Sequence, residues 1–309
     1  MGRVGVAEDG RHVAHVSAGH PERPDRVEAI RTDLATRHPT LPRLPVEPVD
    51  DEALLRVHSP WHLDRVAALC VSGGGHFDLD TYATESSDDL ARISAGGAVS
   101  AVSAVATGEY TGTFAIVRPP GHHATVDRAM GFCLYNGVAV AIESARSMLG
   151  VRRVAVVDID VHHGHGTEAT YWNDPDVLYT SLHQWPFYPG TGADADRGGA
   201  GAVGATVNVP LAAGTSADAW LHAFDTAVMP ALARHAPELV VVSCGFDAHR
   251  DDPLADLNLE TSTYAAVAER LCGLDAPAGG RSAWVLEGGY DLDALVGGTA
   301  AVLAVLLAA

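Results

Sequence analysis

Val154-Ala-Val-Val-Asp158-Ile-Asp160-Val-His162-His163-Gly164-His165 joins a short β-branched run to a cluster of carboxylates and imidazoles. The run has the length of a strand buried on both faces, since no polar residue alternates within it. Four further runs of this kind lie at residues 113–117, 177–182, 239–243 and 283–286. Segments with helical periodicity lie at 88–107, 136–149, 217–235 and 261–271. Strands alternating with helices predict an α/β architecture, a parallel sheet covered by helices on both faces. The glycine-rich stretches 73–75 and 198–204 read as loops, and residues 1–309 read as a single domain.

The residues just beyond each strand carry the chemistry. Residues 113–117 run into Arg118-Pro-Pro-Gly-His122-His123, and 239–243 into Cys244-Gly-Phe-Asp247. Residues 283–286 run into Glu287-Gly-Gly-Tyr290. In open α/β sheets ligands bind beyond the carboxyl ends of the strands, so these clusters and the 158–165 segment are expected on one rim. Alternate residues of an extended segment share a side, so Asp158, Asp160 and His162 can point together until the strand ends. Adding Asp247 allows a grip of two aspartates and one histidine with a position left for an exchangeable ligand, the layout of a catalytic metal site. Zinc accepts this mixed donor set and is the first choice, magnesium or calcium would want mostly oxygen, and Fe(II) and Mn(II) stay open. Two carboxylates offset a divalent charge and weaken the ion as a Lewis acid, which calls for a second electrophile. Tyr290, after two glycines, is the candidate. Imidazole titrates near neutrality, and two adjacent histidines cannot easily both be protonated, so His122 and His123 can take different roles.

Composition narrows the function classes. The chain has 309 residues, 47% of them hydrophobic, and should fold. Its formal charge of −19, from 39 acidic and 20 basic residues, argues against gripping phosphate backbones, so no nucleic acid is expected as partner. Four cysteines, Cys70, Cys133, Cys244 and Cys272, show no metal-binding spacing and suit a reduced interior. No apolar leader or span of about 20 residues is evident, so a cytoplasmic protein with no membrane contact is expected. Sixteen histidines are the compositional oddity, and five of them, His122, His123, His162, His163 and His165, cluster beyond strand ends.

Several motifs in order resemble the zinc-dependent histone deacetylase superfamily, which includes acetylpolyamine amidohydrolases and acetoin-utilisation proteins. They are His20-Pro-Glu-Arg-Pro-Asp-Arg26, Arg118-Pro-Pro-Gly-His-His-Ala124, Gly131-Phe-Cys133 and Val157-Asp-Ile-Asp-Val-His-His-Gly164. Ser181-Leu-His183, Tyr188-Pro-Gly-Thr-Gly192, Cys244-Gly-Phe-Asp-Ala-His249 and Glu287-Gly-Gly-Tyr290 complete the set, whose flavour is closest to class II-like bacterial members. The resemblance implies a single arginase-like domain with a mainly parallel eight-stranded sheet between helical layers. It also implies an amidohydrolase that removes an acetyl group from an acetyl-lysine-like amine by metal-activated water, releasing acetate. It assigns Asp160, His162 and Asp247 to one zinc ion per chain. His123 becomes general base and acid, His122 its electrostatic partner, Tyr290 the carbonyl polariser, and Asp158 the group that holds the far nitrogen of His122. Asp158, Ser181 and Leu182, with main-chain oxygens of Asp160 and His162, would line a monovalent-cation site for K+. Gly131, Phe132 and Tyr188 fall at an aromatic tunnel, Leu254 where polyamine-specialised relatives carry an acidic gatekeeper, and Asp80 at a loop that binds substrate backbone.

One position departs from the family. His165 stands where Asp or Asn orients the second tandem histidine, so the partner of His123 is an imidazole, and loss of a carboxylate there should lower the pKa of His123. The rival readings are an acetylpolyamine or small-molecule amide deacetylase, a catalytically silent acyl-ligand-binding homologue, and an arginase-like dimanganese hydrolase, whose fuller carboxylate set is not evident. The sequence does not decide between a monomer and a homo-oligomer. It leaves residues 39–48, rich in proline, as either an entrance loop or a subunit contact.

Overall fold

A computed structural model describes residues 3–309. The strands are β1 Val4–Glu8, β2 Arg43–Leu44, β3 Gly75–His76, β4 Tyr82–Ala83, β5 Gly112–Ile116, β6 Val154–Asp158, β7 Val177–Gln184, β8 Thr206–Leu211, β9 Leu239–Cys244 and β10 Ser282–Leu286. Eight of them form one sheet in the order β2-β1-β5-β10-β9-β6-β7-β8, while β3 and β4 form a small antiparallel hairpin. Every pairing in the large sheet is parallel, one step beyond the mainly parallel sheet expected.

Successive residues of each central strand face opposite cores. Val154 and Val156 of β6 join a cluster with Ala115, Val140 and Val241, while Ala155 and Val157 join Phe114, Val242 and Trp284 on the other face. Both clusters are almost fully buried. Each such Val or Phe contributes on the order of 1.5–3 kcal/mol against conformational entropy, which explains why these strands read as unbroken apolar runs.

The helices form where their local signals place them. Asn136 caps the helix Gly137–Leu149 through the Ala139 N–H, and Gly150 ends it in the left-handed region. The expected helix 217–235 is divided: Ala217–Ala223 passes through a π-helical turn, Phe224–Val228, into Met229–His235. Pro230 has no N–H to give to the preceding turn, and the wider turn just before it absorbs that loss. Residues 39–48 do not line the cavity described below, and Pro39, Thr40, Pro45, Glu47 and Pro48 are exposed. They supply edge strand β2 beside β1 and bury Leu41, Leu44 and Val46. Gly75, expected in a loop, opens the hairpin strand β3. Among the described residues, no helix is long and apolar enough to cross a membrane.

The decisive feature for function is adjacency. β5, β10, β9 and β6 are consecutive neighbours at the centre of the sheet and run parallel, so their carboxyl ends lie side by side on one rim.

Candidate active site

β6 ends at Asp158, and the chain turns there. This break corrects the expectation that Asp158, Asp160 and His162 share one direction. Asp158 Oδ2 instead accepts from His122 Nδ1 at 3.1 Å and from the Tyr179 hydroxyl at 3.1 Å. Asp160 and His162, beyond the strand, converge with Asp247 from the end of β9. Ligand atoms of these three lie within 4.8 Å of one another, and His162 Nδ1 is 3.2 Å from both Asp160 Oδ1 and Asp247 Oδ2. The remaining oxygens are used to hold the cluster still. Asp160 Oδ2 accepts the Gly288 N–H at 2.8 Å, and Asp247 Oδ1 accepts the Val161 N–H at 2.9 Å.

The donor set fits a divalent cation. Asp247 Oδ2 is buried without a hydrogen-bond partner, an expensive state for a carboxylate oxygen unless a cation meets it. Without one, the cluster has to hold a proton: burial pushes His162 down, but the nearby carboxylates of Asp160 and Asp247 raise it to about 10. Burial and the neighbouring Asp160 push Asp247 up to about 7. Gly288 is small for a geometric reason rather than for flexibility, because a Cβ there would sit 2.0 Å from Asp247 Oδ2.

The tandem histidine rings are tilted by 42° against each other, with centroids 4.0 Å apart, and their environments separate them. Burial depresses His122, but Asp160, Asp158 and Glu287 together raise it well above its ordinary value. Among the described residues His123 has no carboxylate partner, and burial together with His122 and His165 lowers it well below the ordinary value. Its Nδ1 meets His165 Nδ1 at 3.2 Å. Behind both, Glu287 Oε2 accepts the N–H groups of Gly121 and His122, tying the end of β10 to the histidine loop. Burial raises this carboxyl to about 7.

A cavity of about 430 Å³ opens over these groups and is lined by His122, His123, Asp160, His162 and Tyr290. Gly131, Phe132, Tyr188, Leu254 and Asp80 line it as well. Phe132 meets the Tyr290 ring edge-on at 5.8 Å, and Tyr188 meets His123 edge-on at 5.2 Å. Gly131 has a positive φ of 57°, and a Cβ there would fall 2.3 Å from the His123 ring. Asp80 is exposed on the loop between β3 and β4, held by the Asp78 carboxylate, which accepts the N–H groups of Asp80 and Thr81. Ser181 and Leu182 lie outside the cavity. Ser181 of β7 pairs with Asp158 of β6 in the sheet, and both are fully buried.

This constellation is that of one enzyme family, and comparison with known proteins agrees: the sequence profile of the histone deacetylase domain matches residues 20–306. The chain belongs to the histone deacetylase family. It is 42% identical over 279 residues to the histone deacetylase-like amidohydrolase of Pseudomonas aeruginosa, covering 89% of this chain and 73% of that protein. Histone deacetylase 15 of Arabidopsis thaliana is 41% identical across 93% of this chain and 53% of its own length. The crystal structure of the HDA15 HD domain superposes with a TM-score of 0.94 at 38% identity, covering 99% of this chain and 91% of that one. The parallel eight-stranded sheet and its covering helices are therefore the deacetylase fold.

Several contributors to this deacetylase-family site receive no role from the sequence, although Arg26 and Glu287 stand inside the motifs quoted above. Phe187 stacks on His162 with centroids 5.4 Å apart, although the sequence points only to Phe132 and Tyr188 for the aromatic walls. Arg26 donates to the carbonyls of Glu287 and Gly289 and lies 5.0 Å from the Tyr290 ring, bracing the turn that carries the phenol. Asp252 Oδ2 accepts the N–H groups of Tyr290 and Asp291. The one signal the sequence offers is position: a charged residue directly beside a chemistry-bearing motif, as Glu287 and Asp252 are.

Proposed function

We propose that the protein hydrolyses the acetamide of an acetyl-lysine-like amine, releasing acetate, with zinc held by Asp160, His162 and Asp247. The observation that carries this reading is the single cavity lined at once by Asp160 and His162 of the metal-competent triad, a tandem histidine pair, a phenol and two aromatic walls. A bound divalent ion would supply Lewis acidity toward the amide oxygen and toward water.

The chain's own residues do the rest. His123, low in pKa, takes a proton from the attacking water and delivers it to the leaving nitrogen. His122, held charged by Asp158 and its neighbours, stabilises developing negative charge without moving a proton. The Tyr290 phenol is kept protonated by burial, so its hydroxyl donates to the oxyanion. Phe132 and Tyr188 exclude water along an aliphatic chain. Asp80, at the mouth, accepts from substrate backbone, and the apolar Leu254 offers nothing to a second ammonium.

Asp158, Ser181 and Leu182, with main-chain oxygens of Asp160 and His162, would hold K+ under the site. The sheet pairing of Asp158 with Ser181 supports this. One observation favours the polyamine reading: Asp80 and Asp78 put two carboxylates beside the cavity mouth, where they would attract cations. Parallel acetate-release assays on acetyl-lysine peptides, N-acetylpolyamines and longer acyl-lysines decide between them. Highest kcat/KM on the acetyl-lysine peptides is expected. Faster turnover of acetylpolyamines would replace the substrate assignment.

A further inference from the structure

Met130 and His165 together form a chain of contacts that ends on His123. His165 Nδ1 lies 3.2 Å from His123 Nδ1, and its other nitrogen, Nε2, lies 3.1 Å from Met130 Sδ. Among the described residues, no carboxylate hydrogen-bonds either ring, so no carboxylate fixes where their protons sit. Burial, with His163 and His122 nearby, pushes His165 down to about 4, and the ring carries one N–H.

A thioether sulfur accepts and cannot donate. A bare nitrogen lone pair facing it at this distance would be repelled, whereas an N–H would be attracted. The proton of His165 is thereby drawn to Nε2, which leaves Nδ1 as an acceptor. His123 must then carry its proton on Nδ1, and its Nε2 lone pair is free for the cavity. The opposite pair of tautomers would put an N–H of His123 at the cavity, where it could not take a proton from water.

The position of Met130 is itself fixed. Met130 and Cys133 exchange both backbone hydrogen bonds, at 3.1 and 3.0 Å, around Gly131 and Phe132, whose φ values are both positive at 57° and 68°. This is the geometry of the mirror-image hairpin turns. The Phe132 N–H is further held by Thr81 Oγ1 at 3.1 Å. One turn thus sets both the aromatic wall and the sulfur.

We infer that Met130 and His165 are positioning residues, a neutral thioether–imidazole relay in which the sulfur selects the tautomer of His165 and so leaves His123 Nε2 unprotonated toward the substrate. The catalytic use of that lone pair rests on the function proposed for the site, whereas the tautomer assignment does not.

Two readouts on the full-length, zinc-loaded protein test it. Long-range ¹H–¹⁵N correlation of ¹⁵N-histidine-labelled protein reports the tautomer of each ring, with His165 assigned by the signals lost in His165→Asn. The Nε2–H form of His165 is expected in the wild type and a mixture in Met130→Leu, which keeps the volume and removes the acceptor. Kinetically, Met130→Leu should lower kcat about five-fold at unchanged KM, the worth of one weak hydrogen bond. In a His165→Asp background, where the carboxylate accepts without a tautomer choice, adding Met130→Leu should leave kcat within about two-fold. An Nδ1–H tautomer in the wild type would overturn the relay. So would an equal loss from Met130→Leu in both backgrounds, which is the mark of packing alone. Failure of every acetylated substrate with the Nε2–H tautomer intact would instead overturn the proposed function.

Discussion

Replacing Glu22 by Gln should remove a large part of the stability of this protein and disturb the Tyr290 turn at the same time. Glu22 is fully buried. Its two oxygens receive Arg118 Nε and Nη2 at 2.7 and 2.6 Å, and Arg26 Nη1 adds a third bond at 3.1 Å. Burial alone would raise this carboxyl, but Arg118 and Arg26 outweigh it and hold it at about 2 against an ordinary value of 4.5. That gap, at about 1.4 kcal/mol per pH unit, corresponds to roughly 3 kcal/mol of native-state stabilisation by the charge. Breaking a buried ion pair by neutralising one partner costs about 3–5 kcal/mol, so the two routes agree. The expected loss at pH 7 is therefore about 3 kcal/mol by urea unfolding, and Tm falls by about 6 °C at the smaller shift per kcal/mol found for large domains. The folded-state pKa lies below the unfolded one. The contribution is thus complete above pH 4.5 and fades as pH falls toward 2. The stability difference between wild type and Glu22→Gln should accordingly be smaller at pH 3.5 than at pH 7. A difference at pH 7 below about 1 kcal/mol, or one that grows on acidification, would refute the reasoning.

Other consequences are as direct. Tyr290→Phe should lower kcat on the order of 10²-fold with little change in KM, because the lost hydroxyl serves the oxyanion; near wild-type turnover would remove that role. Gly131→Ala forces a methyl to 2.3 Å from the His123 ring, so kcat should fall sharply, and unimpaired turnover would mean the turn relaxes freely. With His123 depressed by burial and its imidazole neighbours, the base remains neutral to below its ordinary value of 6.5, and kcat/KM should hold steady there as pH falls. His165→Asp places a carboxylate beside that ring and should move the acidic limb to higher pH; an unmoved limb would show that this position does not set the pKa. Leu254→Glu should raise kcat/KM for acetylpolyamines relative to acetyl-lysine peptides, an effect weakened by salt.

The parts of the fold legible in the sequence are those where local pattern and burial coincide. β5, β6, β7, β9 and β10 are buried on both faces, so their apolar runs stand out, and the observed bounds differ from the runs by at most two residues. β1 and β8 are less distinct. β1 ends in Glu8, while β8 alternates buried with half-buried residues and contains Pro210, which an edge strand tolerates. β2, two residues long, has no pattern to read. The site shows the same division. Asp160, His162 and Asp247 announce themselves as polar residues at the ends of apolar strands. Arg26, Glu22 and Met130 act across long sequence separations, through a backbone carbonyl, a buried ion pair and a sulfur contact, and only the folded arrangement brings them to the site.

The most direct test of the central claim measures metal content and acetate release on the same preparations of wild type and His162→Ala. Wild type should carry one zinc per chain and deacetylate an acetyl-lysine peptide, with activity lost on chelation and restored by zinc. His162→Ala should lose both metal and turnover while remaining folded. Undiminished acetate release from a metal-free chain, or stoichiometric zinc retained in the variant, would contradict the assignment of Asp160, His162 and Asp247 as the centre of the chemistry.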